Sequence, residues 1–264
     1  MTMSYYKIDQ LAPTVYRFHD PFSVNFFLVV GADKALLLDA GYGVVPVLPE
    51  IREITDKPLE LVASHGHVDH ANGLFDFDAF WMHEADMEVL GKHTTVEWRR
   101  NLALEAVGKG IEIDPEVHAN KPCPKINFLT AGQIFDLGDV TCEVVAMPGH
   151  TAGSIGILVK EERILLACDA ASHMIWLWME ESAPVKDYAQ MLKRVNELEF
   201  DYFYTGHTDW KNEKKEFEKL IRVAEAANFA DSAEYNEYDA ANAEAYVYAE
   251  GDTAVVFSKR TIGA

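Results

Sequence analysis

Three cysteines in 264 residues, an odd number at widely spaced positions (Cys123, Cys142, Cys168), leave no basis for a disulfide framework and fit a reducing compartment. Basic charge is also scarce. Against 43 Asp and Glu stand 23 Lys and Arg, and the formal net charge of -20 opposes approach to a phosphate backbone, so no nucleic acid is expected as a partner. Nowhere do the roughly 18 uncharged apolar residues of a membrane span occur in a row. The opening MTMSYYKIDQLAPTVYRFHD has no basic region followed by an apolar one. These absences together give the expectation of a cytoplasmic protein that neither crosses nor binds a membrane. Repeats, low-complexity tracts and linkers are missing too, which favours a single continuous domain over residues 1–264.

What is present is a sheet-forming chain with helices. Apolar residues make up 49 % of the sequence, enough for a sizeable core. The runs TVYRF, NFFLVV and KALLLDAGYG alternate with turns, and a helix is expected over about 46–56, where Val47, Leu48, Ile51 and Ile54 recur at helical spacing. Residues 84–128 read as a helical excursion closed by the Pro-rich connector DPEVHANKPCPKINF. Strands resume at QIFDLGDVTCEVVAMPGH, SIGILVKEERILLACDA and FDYFYTGH. Tyr188, Met191, Leu192, Val195 and Leu198 mark one amphipathic helix, and Phe217, Leu220, Ile221 and Ala224 another. The C-terminal part, about 211–260, closes with a hairpin turning at Gly251 and Asp252. Strands both paired and separated by helices imply an α/β fold with mixed sheets and helices on their outer faces.

A positional regularity carries the functional reading. LLLDAG ends at Asp39, LVASHGH at His65 and His67, VVAMPGH at His150, ILLACD at Asp169 and YFYTGH at His207. Five apolar runs each deliver a metal-capable residue where strand gives way to loop, the place where α/β folds assemble sites. In SHGHVDH, the glycine between His65 and His67 lets both imidazoles converge on one ion, while Asp69 and His70 lie further round the turn and can face a second. Each ion needs about four ligands, water included. The inventory closes with His65, His67 and His150 on one metal, Asp69, His70 and His207 on the other, and Asp169 shared between them.

SHGHVDH, PGHTAGS, CDA and GHTD, in this order after LLLDAGYG, resemble the metallo-β-lactamase superfamily, the family of glyoxalase II and the acyl-homoserine lactonases. The resemblance runs from about residue 14 to 208. It implies a four-layer αβ/βα sandwich of two mixed sheets with the metals at their edge, the ligand roles just assigned, and Asp39 supporting the ligands from behind. It also implies two divalent ions, zinc in the first instance, with iron and manganese compatible with the same donors. Two positions depart from the family's habit: Ser64 stands where threonine is common, and Cys168 where glycine is common.

The function expected is hydrolysis of a small-molecule ester, thioester or lactone by a metal-bridging hydroxide, with Asp69 orienting the water and passing a proton to the leaving group. The alternative is a mononuclear iron oxidoreductase resembling persulfide dioxygenases, needing only His65, His150 and Asp169. His173, Trp176 and Trp178 are candidates for a substrate wall, or else core. His19, His83, His93 and His118 are read as ordinary solvated or hydrogen-bonded side chains. The excursion around Trp98 reads either as a cap over the pocket or as a contact within a homo-oligomer.

Overall fold

The computed structural model describes residues 5–237 and 244–263. Residues 1–4 of the N-terminal stretch and residues 238–243 of the C-terminal part lie outside the described residues. The chain divides into two compact units, Met1–Val144 and Val145–Ala264.

In the first unit one sheet follows chain order. Its strands are β1 (Lys7–Ala12), β2 (Val15–His19), β3 (Asn25–Val30), β4 (Ala35–Leu38), β5 (Leu59–Val62), β6 (Ala79–His83) and β7 (Lys125–Leu129). Pairing is antiparallel from β1 to β4 and parallel from β4 to β7, so the sheet is mixed as expected. The apolar run of β4 is buried on both faces, which is why it reads as continuous rather than alternating. Burying each such leucine stabilises the fold by about 1.5–3 kcal/mol. Helix α1 (Leu48–Ile54) carries the parallel crossover from β4 to β5, with Ile51 facing a core of Phe18, Phe26, Leu28 and Leu37.

Four short helices follow β5 in this unit: α2 (Val68–Ala71), α3 (Met87–His93), α4 (Val96–Gly108) and α5 (Pro115–Ala119). Thr95 caps α4 by accepting from Trp98 N, and Asp114 caps α5, which has proline in its first turn. β7 departs from the sequence reading, which leaves residues 125–128 in the connector. Pro122 and Pro124 mask its start, and its exposed edge position gives it a weak apolar signal. A hairpin of β8 (Ile134–Asp136) and β9 (Thr141–Ala146) leads to the unit boundary, which falls inside β9.

The second unit has strands β10 (Ile155–Val159), β11 (Ile164–Cys168), β13 (Tyr202–Thr205) and β14 (Asn212–Glu213), adjacent in the order β14-β13-β11-β10. β11 and β13 run parallel, so both end at the same edge. Helix α6 (Val185–Asn196) buries Tyr188, Met191, Leu192 and Val195 as the sequence spacing predicts, and α7 (Glu216–Ala226) buries Phe217, Leu220 and Ala224. A four-stranded sheet of its own runs β12-β17-β16-β15, from β12 (Met174–Leu177), β15 (Ala233–Tyr235), β16 (Ala245–Glu250) and β17 (Thr253–Ser258). The hairpin turns at Gly251 and Asp252, with Glu250 opposite Thr253. Its partnership with β12, which carries Trp176, is a feature the sequence reading does not contain. A last turn, α8 (Lys259–Ile262), is fixed by a capping box between Ser258 and Thr261. Among the described residues no helix is long and apolar enough to cross a membrane.

Candidate metal centre

In the first unit, β4 and β5 are parallel and deliver Asp39 and the SHGHVDH turn to one edge. Asp39 is fully buried and adopts φ +65°, a left-handed conformation uncommon for a residue with a side chain. Its Oδ1 accepts from Ser64 N at 2.6 Å, and its Oδ2 accepts from Ser64 Oγ at 2.7 Å and from His70 Nδ1 at 2.8 Å. With its proton given to Asp39, the Ser64 hydroxyl is an acceptor for His65 Nδ1, 2.9 Å away. One buried carboxylate therefore sets two imidazoles, His70 directly and His65 through Ser64, with Nε2 as the ligating nitrogen of each.

His67 begins α2 in an extended conformation, and its Nδ1 lies 3.0 Å from His65 Nε2. Two nitrogens on one tetrahedral ion at 2.0–2.1 Å would be about 3.3 Å apart, so the pair has the spacing of ligands to a common centre. Gly66 between them cannot be replaced by a larger residue without movement: a Cβ there would stand 2.7 Å from Leu90 N and 2.9 Å from Asp86 O. The buried Asp86 accepts from Gly66 N at 2.8 Å and ties the segment before α3 to the motif. Asp69, half-buried in α2, places Oδ2 3.5 Å from His70 Nε2, and the His65 and His70 rings are 4.4 Å apart. The four motif residues are thus brought together.

Two residues beside this group carry no signal in the sequence reading. The His93 ring lies 4.4 Å from that of His67 and stacks at 6.3 Å on Trp98, which is 47 % exposed. A histidine ending a helix reads as a partner of the helix dipole, which gives no sign of these ring contacts. Asp20 is buried, accepting from Phe22 N at 2.8 Å and Tyr42 N at 3.3 Å. Burial pushes its carboxyl up to about 7, and the charge of Asp69 adds to this, while those two backbone donors and His70 oppose it.

The second unit assembles the other three. Asp169 follows β11, His207 follows β13, and His150 follows the Pro-Gly turn after β9. Asp169 Oδ2 stands 3.1 Å from His207 Nε2 and 3.8 Å from His150 Nε2, between the two imidazoles. His150 is buried, and its Nδ1 donates to the Trp176 carbonyl at 3.0 Å, which again leaves Nε2 as the ligating nitrogen. Cys168, the residue before Asp169, sits at φ +44°. That conformation favours glycine, which accounts physically for the residue the family prefers there.

The chemistry of these donors fits a metal ion. Imidazoles whose far nitrogen is held by an oxygen acceptor, with carboxylates adjacent, form the ligand set of zinc and related ions. The remaining sequence candidates are placed as follows. His173 is buried and engaged with Asn212 Oδ1 at 2.9 Å and Thr253 Oγ1 at 3.3 Å. Trp176 and Trp178, half-buried, pack with Tyr235 and Val256, and Trp178 Nε1 has no hydrogen-bond partner among the described residues. His118 is buried against Asn72, with its Nε2 3.1 Å from Asn72 Nδ2.

The model of the metallo-β-lactamase superfamily matches residues 19–207. An acyl-coenzyme A thioesterase, MBLAC2, from Homo sapiens is 30 % identical over 193 residues, covering 66 % of this chain and 67 % of its own. A probable metallo-hydrolase, YqgX, from Bacillus subtilis is 23 % identical over 151 residues, 56 % of this chain and 66 % of its own. Among solved structures, a metallo-β-lactamase family protein from Thermus thermophilus superposes with a TM-score of 0.57 at 21 % identity, covering 82 % of this chain and 81 % of that one.

Proposed function

Since the chain belongs to the metallo-β-lactamase superfamily, we propose that it is a binuclear metal-dependent hydrolase of small-molecule thioesters, with acyl-coenzyme A esters the class to examine first. The general reading as a hydrolase is supported by relatives named thioesterase and metallo-hydrolase. The thioester rests on the name of the vertebrate relatives, the human one among them. The observation that carries the metal-dependent chemistry is the buried Asp39 fixing His65, through Ser64, and His70 by their Nδ1, which leaves Nε2 as the ligating nitrogen.

In this reading the ligands are His65, His67, Asp69, His70, His150, Asp169 and His207. All seven fall inside the matched span. Divalent ions bound there, zinc foremost, would supply hydroxide near neutral pH and an electrophile for the substrate carbonyl. Asp69 accepts a hydrogen bond from the attacking water and so aims its lone pair at the acyl carbon. Addition of the water oxygen and cleavage of the C–S bond give a carboxylic acid and a thiol. The sulfur leaves as thiolate, since thiols have pKa values of about 8.5, and takes up its proton afterwards. Asp39 and Ser64 hold the histidine rings in place and do not touch substrate.

The test is release of free thiol from a panel of acyl-coenzyme A esters by protein loaded with zinc, stripped by chelator, and reloaded. Release that disappears on stripping and returns with zinc is the expected result. Turnover of oxygen esters or lactones with none of thioesters would move the substrate class. Thiol-dependent oxygen uptake with about one iron per chain would replace the hydrolase altogether.

A further inference from the structure

The hold on His150 extends well beyond its own turn. Its ring is set by the Trp176 carbonyl, its own carbonyl accepts from Ser182 Oγ at 2.9 Å, and the carbonyl of Gly149 accepts from Ala183 N at 2.8 Å. The partners lie in β12 and in the segment running out of it. That segment forms a turn in which Ser182 N donates to the Met179 carbonyl at 3.1 Å. The turn is tied from outside: Arg260 Nη2 donates to Met179 O at 2.6 Å and to Ser182 O at 3.0 Å. One guanidinium nitrogen thus grips both ends of the turn that carries Ser182.

Arg260 is itself well placed. It lies in α8, which is capped by Ser258 and Thr261, and α8 directly follows β17, the parallel partner of β12. Residues 253–262 lie outside the span matched by the superfamily model, which ends at 207. A charge-assisted hydrogen bond to a carbonyl is roughly twice as strong as a neutral one, and two on a single turn fix its path.

We propose that Arg260 is a positioning residue for His150, acting through the turn at 179–182 and the Ser182 hydroxyl, so that the C-terminal hairpin and helix set the metal affinity of a ligand more than a hundred residues earlier in sequence. This rests on reading His150 as a metal ligand. Loss of a group that orients a ligand directly lowers metal affinity about 10- to 100-fold, and Arg260 acts one link further out, which places the expected loss at about tenfold.

Hydrogen–deuterium exchange of metal-free protein, followed in peptides covering 147–151 and 179–183, tests the clamp without metal; zinc titration of the same samples tests its consequence. Arg260→Ala is expected to speed exchange in both segments and weaken zinc binding about tenfold with its melting temperature near that of the wild type. Arg260→Lys, which keeps a charged donor, is expected to restore most of both. Wild-type exchange and zinc affinity in Arg260→Ala would overturn the proposal, as would a loss that follows melting temperature and is equal in the lysine variant. Faster exchange in Arg260→Ala together with a wild-type protein that takes up no zinc would keep the clamp and overturn the metal reading instead.

Discussion

Asp39 Oδ2 accepts hydrogen bonds from both His70 Nδ1 and Ser64 Oγ, at 2.8 and 2.7 Å, and through Ser64 it also sets His65. Replacing Asp39 by alanine removes the acceptor for two imidazoles at once and is expected to weaken zinc binding at least 10- to 100-fold, measured by competition with a chromophoric chelator. Ser64→Ala should lose part of this affinity, because His65 Nδ1 then has no hydroxyl to donate to. Ser64→Thr should keep it, since the hydroxyl remains. Equal affinity in the alanine and threonine variants would show that the relay has no bearing on the metal.

That network shows how much of the site could be read in advance. Residue types and order along the chain placed Asp39, His65, His67, His150, Asp169 and His207 at strand ends, with Asp69 and His70 further round the turn; parallel pairing of β4 with β5 brings Asp39 and the motif to one edge, and that of β11 with β13 brings Asp169 and His207 to another. The Ser64 relay was not legible, because a single hydroxyl beside a histidine carries no spacing signal. The nearness of His93 and Asp20 was hidden for a similar reason: it arises from contacts across tens of residues. In the fold, α1, α6, α7 and the closing hairpin follow from periodicity and turn chemistry. β7 was obscured by the prolines before it, and the pairing of β12 with β17 joins segments about 80 residues apart, which no local pattern reveals.

The turn that presents His150 is packed from below by Tyr188. A Cβ at Gly149 would collide with the Tyr188 ring, so Gly149→Ala should lower the melting temperature by displacing α6 or the turn. Tyr188 is buried with its hydroxyl lacking a hydrogen-bond partner among the described residues, and burial pushes that hydroxyl's pKa up. An unsatisfied buried hydroxyl costs about 1–3 kcal/mol. Tyr188→Phe is therefore expected to melt at the wild-type temperature or above. A clear drop would reveal a partner for the hydroxyl.

Acid should destabilise the protein partly through His118. Burial, with the nearby charges of Lys121 and Arg99, pushes its pKa down to about 4, against about 6.5 for an exposed imidazole. Between these values the unfolded chain binds the proton more readily than the folded one. Stability is thus full above pH 6.5 and falls as pH drops towards 4, by on the order of 1–3 kcal/mol from this group. Denaturant melts at pH 7.5 and 4.5 check it: in His118→Asn the difference between the two pH values should shrink relative to wild type. An unchanged difference would mean that other groups account for the acid sensitivity.

Trp98 stacks on His93, whose ring lies tilted 4.4 Å from that of His67, so an exposed aromatic ring stands next to the neighbour of a candidate ligand. If this face meets substrate, Trp98→Ala should raise KM several-fold with metal content unchanged, and Trp98→Phe should recover most of it. Steady-state kinetics with metal analysis on the same samples separates this from a loss of ligands. Unaltered KM in the alanine variant would assign Trp98 elsewhere.

The most direct test of the account as a whole is calorimetric titration of the metal-free protein with zinc. Two equivalents per chain are expected for the wild type, with at least one lost in His65→Ala and in His207→Ala. One equivalent or fewer in the wild type, or an unchanged stoichiometry in both variants, would contradict it.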